Sequence, residues 1–398
     1  MQPVRKTIKE VHGSLIKEPP TLTMLVDGNS LLFSSFADDK VNSDGVHYGA
    51  IFQFLLQLRI QLTRRQFDKI VVTFDDEYSG VMRYNLYHDY KANRDKHYED
   101  YGVSDYMKQY NENLKQLRNH IFNKKNKNGE IKPDKIKSDW EKFVDANFNR
   151  ERDILCLMFN ELCIRWHMDT VVEGDDLIAF YCKNKKPNEK ILIISSDLDL
   201  CQLLSDDVMV YNQVKKIYLS NKTFKQYFGY TNENVLVKKI FCGDTSDNIG
   251  NIKGLSEEGF FNLMPEAKTR KVTIDEVKAR AQKLIDERIS IKKKPYVLHE
   301  NIINGISNKR YDGDFYEINK LIIDLNNPLL TDEAKDEMDN MMNVPLDVTD
   351  RNVKNLLGII YDNDLTELNG DTRFATFFAP FKRIEEKEKQ FYAIETQS

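Results

Sequence analysis

Seven acidic side chains stand at positions from which a folded chain can bring them to one spot: Asp27, Asp75, Glu173, Asp175, Asp197, Asp199 and Asp247. Two carboxylates about 4 Å apart repel by about 4 kcal/mol at an effective dielectric near 20. That is worth about three pKa units for each pair. A group of seven therefore needs cations to stay ionised at neutral pH. Oxygen-only ligands with no His or Cys among them select hard divalent ions, Mg²⁺ first and Mn²⁺ second. Two such ions about 3.5–4 Å apart are the usual apparatus for in-line displacement at a phosphodiester.

Positioning such a set is the work of strands. Apolar, strand-like runs precede Asp27 (residues 22–26), Asp75 (70–74) and the Ser195-Ser196-Asp197 segment (191–194). In a parallel sheet, side chains that follow such strands emerge at its C-terminal edge, where ligands bind. Between the strands, residues 48–65 carry Ile51, Phe54, Leu55, Leu58 and Leu62 at helical spacing, and residues 151–166 repeat the pattern with Ile154, Leu155, Met158, Phe159 and Leu162. Thr170-Val171-Val172 reads as a short strand ending at Glu173, with a helix opening at Asp175; further strands are expected at 208–211 and 217–219. This alternation predicts an α/β fold, a mainly parallel central sheet flanked by helices.

Three parts follow: an extension over residues 1–20, an α/β domain over 21–220 with a long polar insertion at about 83–150, and a mostly helical region over 221–398. Composition bounds the class. With 58 Lys and Arg against 63 Asp and Glu the net charge is −5, which argues against a simple basic coat for nucleic acid but not against an enzyme that segregates its charges. The five cysteines form no CxxC pair and read as reduced core residues of a cytoplasmic protein. No apolar run is long enough to span a membrane, and the first twenty residues lack the apolar stretch of a signal peptide.

Each acid alone has a bland reading. Asp27 is a natural helix N-cap and Asp75-Asp76 a natural turn opener. Glu173-Gly174-Asp175-Asp176 is harder to dismiss, because three acids in four residues repel unless something positive sits among them. Asp197-Leu198-Asp199 repeats that pattern after a buried strand. Two further stretches stand out. Gly243-Asp244-Thr245-Ser246-Asp247-Asn248-Ile249-Gly250-Asn251-Ile252-Lys253-Gly254 allows a tight turn whose backbone N–H groups can approach a phosphate. Arg83-Tyr84-Asn85-Leu86-Tyr87-His88-Asp89-Tyr90-Lys91-Ala92-Asn93-Arg94 interleaves cations with rings, as suits a single strand. The lysine-rich run over residues 124–137 reads equally well as a solvated loop.

Taken in this order, Phe74-Asp75 with Ser79-Gly80, Tyr90-Lys91-Ala92-Asn93-Arg94, Glu173-Gly174-Asp175-Asp176, Ser195-Ser196-Asp197-Leu198-Asp199 and Gly243-Asp244-Thr245-Ser246-Asp247-Asn248-Ile249 resemble the 5′-nuclease superfamily of flap endonucleases and 5′–3′ exonucleases, and most of all its branch of T-even bacteriophage ribonucleases H. The resemblance covers about residues 22–265. It implies that Asp27, Asp75, Glu173 and Asp175 hold a first metal and Asp197, Asp199 and Asp247 a second, with Asp176 and Asp244 as outer partners. It makes Lys91 and Arg94 the basic pair that meets the scissile phosphate, with residues from Arg83 onward forming an arch or lid. It makes about 236–265 a helix–three-turn–helix grip on duplex DNA through Gly243, Ser246, Asn248, Gly250, Lys253 and Gly254, with Arg83 and Tyr90 also on the nucleic acid. A K⁺ ion in that turn is a further implication. One departure is plain: where the family has a second Gly-Ile-Gly turn, this chain reads Gly254-Leu255-Ser256, followed by Glu257 and Glu258.

The activity so implied is two-metal hydrolysis near the 5′ ends of branched or nicked duplexes, leaving a 5′-phosphate, in removal of RNA primers and flaps during replication. Expected partners are branched or nicked DNA and RNA–DNA hybrid, with a single-strand-binding protein or a sliding clamp as candidates, the chain itself being a monomer in the cytoplasm, that of a bacterial host if the source is viral. A PIN-type endoribonuclease shares the carboxylate logic but normally lacks the glycine turn and the basic 83–94 segment. A branched-DNA binder without catalysis would be expected to have lost ligands.

Overall fold

The structure is a computed structural model and describes residues 21–76, 78–92 and 133–395. Its sheet contains β1 (Thr21–Asp27), β2 (Lys69–Asp75), β3 (Arg165–Asp169), β4 (Glu189–Ile194), β5 (Val208–Asn212) and β6 (Ile217–Leu219), in the order β3-β2-β1-β4-β5-β6. Every neighbouring pair is parallel except β5 with β6. Chain order runs one way from β1 to β3 and the other way from β4, so the gap between β1 and β4 is a topological switch point. Register across it pairs Val26 with Val72 on one side and with Ile194 on the other, which brings the ends of three strands level.

Because side chains alternate along a strand, both faces of this sheet are apolar. One face presents Met24, Val26, Ile70, Val72, Phe74, Leu192 and Ile194; the other presents Leu25, Val71, Ile191, Ile193 and Val210. Helices α1 (Gly28–Ser35), α2 (Gly49–Arg64) and α4 (Pro133–Glu161) cover the first face. Helix α5 (Gly174–Asn184) covers the second. Between β2 and α4 lies the short α3 (Val81–Leu86).

Two local expectations need correction. Thr170–Val172 is not a strand: the Asp169 carboxylate accepts from the Val171 and Val172 N–H groups, and this turn delivers Glu173 to the head of α5. The strand lies earlier, at β3, where the apolar spacing predicts helix through residue 166; Cys163, at φ 56°, has already ended α4.

Beyond β6 come α6 (Phe224–Phe228), α7 (Val235–Cys242), α8 (Glu257–Leu263), α9 (Ile274–Ser290), α10 (Val297–Asn304) and α11 (Phe315–Ile323). From α7 to α11 these helices build a separate apolar cluster around Ile240, Phe241, Phe260 and Ile302, which Tyr87 and Tyr90 join. The remaining helices, α12 (Asp332–Asn343), α13 (Val353–Asp362), α14 (Asp371–Phe378) and α15 (Lys382–Glu395), do not extend that cluster. Met338 of α12 packs with α5, while Leu356, Ile360, Phe378, Phe381 and Ile384 pack with α2, α4 and the first face of the sheet. Helices α12 to α15 therefore pack on the α/β core and not on the α7–α11 cluster. Chain length hid this, since amphipathic helices do not announce which surface they cover.

Candidate metal and nucleic-acid site

The seven acids converge on the C-terminal edge of the sheet at the switch point. Asp27 ends β1 and caps α1, its Oδ1 accepting from the Ser30 N–H at 2.9 Å. Its Oδ2 accepts from the Ser195 hydroxyl at 2.6 Å, and Ser195 Oγ in turn accepts from the Asp197 N–H. Asp197 Oδ1 then accepts from the Asp199 N–H, so one short hydrogen-bonded chain runs across from β1 to the loop after β4. Asp75 ends β2 and accepts from the Gly174 N–H at 2.6 Å, which ties that strand to the head of α5. Close approach is enforced at Gly28, where a Cβ would lie 2.5 Å from the Phe74 ring.

Electrostatics divide the acids into three environments. In the first, Asp27 and Asp175 lie among carboxylates. Burial, with Asp75 and Asp197 adding to it, pushes Asp27 up to about 7. Asp175 is raised well above the usual carboxylate range by burial and by Asp27, Asp197, Asp75 and Glu173, all of them acids. Asp75 is raised by burial as well, with Lys91 working against it.

The second environment is cationic. Glu173 is buried, yet the Arg83 guanidinium and the Lys91 ammonium outweigh the cost of burial and hold it at about 2. Tyr90 Oη donates to the same carboxylate. Asp176, also buried, is paired to Arg83 and accepts from the Leu329 N–H.

The third environment gathers acids the sequence had named around a cation it did not disclose. Asp199, Asp244 and Asp247 place carboxylate oxygens within 4.8 Å of one another. Lys239, from the middle of α7, reaches into their midst: it is paired to Asp199, lies 2.7 Å from Asp244 and 3.5 Å from Asp247. Burial raises Asp199 to about 6 against the pull of Lys239, whereas the same ammonium holds Asp244 at about 2. In the sequence Lys238-Lys239 looks like an ordinary helix surface, and only the direction of α7 distinguishes the buried member from the partly buried one.

Several expected nucleic-acid contacts are differently employed. Arg83 is only 5% exposed; its guanidinium bonds Asp176 and the Ile322 carbonyl, so it is a buried tie and not a surface phosphate contact. Tyr90 is buried against Glu173 and is not a free stacking ring. In the turn, the Gly250 N–H donates to Tyr311 Oη, the Ser246 N–H to Asp244, and the Gly243 N–H to the Lys239 carbonyl. Asn248 is engaged by Asp89 and Lys309. Lys253 and Gly254 stay exposed, although the Lys253 N–H donates to the Ile306 carbonyl. Lys91 is placed by its own N–H, which donates to the Asp247 carbonyl at 2.9 Å. Arg94 lies outside the described residues, as does most of the expected arch and lysine-rich run.

The turn does join two helices, α7 and α8, as the resemblance implies. Its departure from the family pattern has a local reason: the Ser256 hydroxyl caps α8, and Glu257 and Glu258 occupy the helix's first turn, where the dipole favours acids. Glu257 also pairs with Lys238.

Residues 22–229 match the family model described as 5′-3′ exonuclease, N-terminal resolvase-like domain. A 5′-3′ exonuclease of Mycoplasmopsis pulmonis is 26% identical over 276 residues, covering 66% of this chain and 75% of that protein. DNA polymerase I of Bacillus subtilis is 23% identical over 273 residues; these cover 67% of this chain but only 26% of the polymerase. The T5 D15 protein co-crystallised with metal ions is similar in fold, with a TM-score of 0.51 at 14% identity over 92% of this chain and 99% of that one.

Proposed function

The chain belongs to the 5′–3′ exonuclease family, and from that premise we propose that it is a divalent-metal-dependent, structure-specific 5′-nuclease acting on branched or nicked duplexes. The observation that carries this reading is the meeting of Asp27, Asp75, Asp175 and Asp197 at the switch point, beside the Asp199, Asp244 and Asp247 group. A buried carboxylate whose strongest neighbours are carboxylates has the chemistry of a cation's ligand shell, and the donor set is all oxygen. Asp27, Asp75, Glu173 and Asp175 would hold one Mg²⁺, and Asp197, Asp199 and Asp247 a second; Mn²⁺ is the proposed substitute. When bound, such ions neutralise the phosphodiester and lower the pKa of water for in-line attack.

The chain's own groups do the rest. Ser195 and Ser30 fix the Asp27 carboxylate, and Gly174 fixes Asp75, so the ligands are held before substrate arrives. Arg83 keeps Glu173 ionised from the buried side and pairs with Asp176. Lys91 approaches from the opposite segment, where an ammonium can offset charge on the scissile phosphate and hold it against the acids. Arg94 is its proposed companion. The turn from Gly243 to Gly254, between α7 and α8, is the proposed grip on duplex backbone, with Lys253 its exposed cation and K⁺ its proposed ion. Reading no base edge, such a grip implies low sequence specificity and strong salt dependence. Removal of RNA primers and flaps in replication, alongside a single-strand-binding protein or sliding clamp, is the proposed setting.

A 5′-labelled flap incubated with and without Mg²⁺ tests this. Cleavage at the branch that requires the metal is expected. Binding without any cut, or cutting confined to single-stranded RNA, would refute it.

A further inference from the structure

The connection from α9 to α10 carries a cationic knuckle that the reading above leaves unused. Between Glu287 and Glu300 the chain contains Arg288, Lys292, Lys293 and Lys294 and no acid. Lys292, Lys293 and Lys294 are exposed, and none of the three is ion-paired among the described residues. Their loop is nevertheless fixed. Lys292 adopts φ 58°, the Lys293 N–H donates to the Arg288 carbonyl at 2.8 Å, and Arg288 Nε donates to the Lys294 carbonyl at 2.7 Å. The Arg288 guanidinium also lies 3.8 Å from the Tyr296 ring centroid, clamping the far side of the loop.

Location gives the knuckle its meaning. Helix α10, which begins just after it, is bonded to the proposed duplex grip. Asn301 Nδ2 donates to the Lys253 carbonyl at 2.9 Å, and a Cβ on Gly254 would lie 3.9 Å from Leu298 Cδ1. Lys294, Lys293 and Lys292 stand four, five and six positions before Leu298, so the lysines lie within about 14 to 22 Å of that contact along the chain. Duplex DNA presents one negative charge per about 1.7 Å of axis. A duplex seated on the turn therefore has several further phosphates within reach of the loop.

We propose that Lys292, Lys293 and Lys294 form a second phosphate contact for the duplex held at the Gly243–Gly254 turn, lengthening the grip away from the catalytic acids. This rests on the nuclease reading. Duplex DNA is favoured over a protein partner because the loop offers unpaired cations in a fixed array. The exposed Ile289, Ile291 and Val297 beside it would instead anchor a protein.

The test compares the full chain with K292A/K293A/K294A in EDTA, by anisotropy of a labelled 5′-flapped stem spanning two helical turns and of the same flap on a stem shorter than one turn. On the long stem the slope of log K against log salt should become shallower by about 2 to 3, each lost phosphate contact accounting for about 0.9. The short stem should bind as before, and K292R/K293R/K294R should restore the slope. An unchanged slope on the long stem overturns the proposal, as does an equal loss on both stems. Wild-type cleavage of the flap in Mg²⁺ is scored in parallel. If the wild type cuts while the variant keeps its slope, the loop contact alone is refuted; if the wild type binds neither stem, both readings fall.

Discussion

Glu173 and Asp175 stand two residues apart and meet opposite electrostatic fates, one held at about 2 by Arg83 and Lys91, the other raised by a ring of acids. Removing a buried partner leaves a charge without compensation, which typically costs about 3–5 kcal/mol. Arg83→Met should lower the unfolding free energy by that order, read by denaturant titration, whereas a mere surface contact would leave it unchanged. Asp197→Asn should reduce flap cleavage on the order of 10³-fold through lost metal holding, with binding in EDTA retained. Unchanged turnover would remove Asp197 from the site. Lys91→Ala should slow the single-turnover rate more than it weakens binding, and a defect confined to binding would make Lys91 a positioning contact only. Most acids could be named from sequence because each follows a strand or opens a helix. Lys239 could not, since a lysine in the middle of a helix gives no sign of which way it points.

At the level of elements, the strands were the legible part. Runs such as 22–26, apolar but for Thr23, and 191–194, apolar throughout, are what strands covered on both faces require, and the acids after them mark the C-terminal edge. Strand β3 was missed because Arg165 and His167 break that pattern. Arg165 is buried all the same, bonded through both Nε and Nη2 to Glu388 of α15. That pair is a clasp between an edge strand and the last helix, which no local signal reveals. Ile384, fully buried on the same helix, should report on the clasp: Ile384→Ala is expected to cost about 2–5 kcal/mol in chemical unfolding. A loss no greater than that of an exposed site would show α15 to be peripheral.

For the molecule as a whole, the acidic basket makes stability depend on pH in an unusual sense. Asp27, ordinarily near 3.8, is raised to about 7, and Asp199 to about 6. Between these limits the folded chain holds protons that the unfolded chain has released, so metal-free stability falls as pH rises through that window. Glu173 and Asp244, both near 2, work the other way: their contribution is present above the usual carboxylate range and is lost only as pH falls towards 2. Thermal melts in EDTA should therefore decline from about pH 5 to pH 7, and added Mg²⁺ should raise the midpoint more at the higher pH. A flat profile would mean that the carboxylates are not crowded in solution.

The packing of Phe381 and Ile384 against the sheet also bears on how the chain reaches its folded state. All six strands have left the ribosome long before residues 346–392, yet one apolar face of their sheet is completed only by those residues. Through that interval α1, α2 and α4 cover that face only in part, and the apolar surface that residues 346–392 complete stays open. A chaperone that shields it, or slow translation between β6 and residue 346, would decide how much of the protein escapes aggregation.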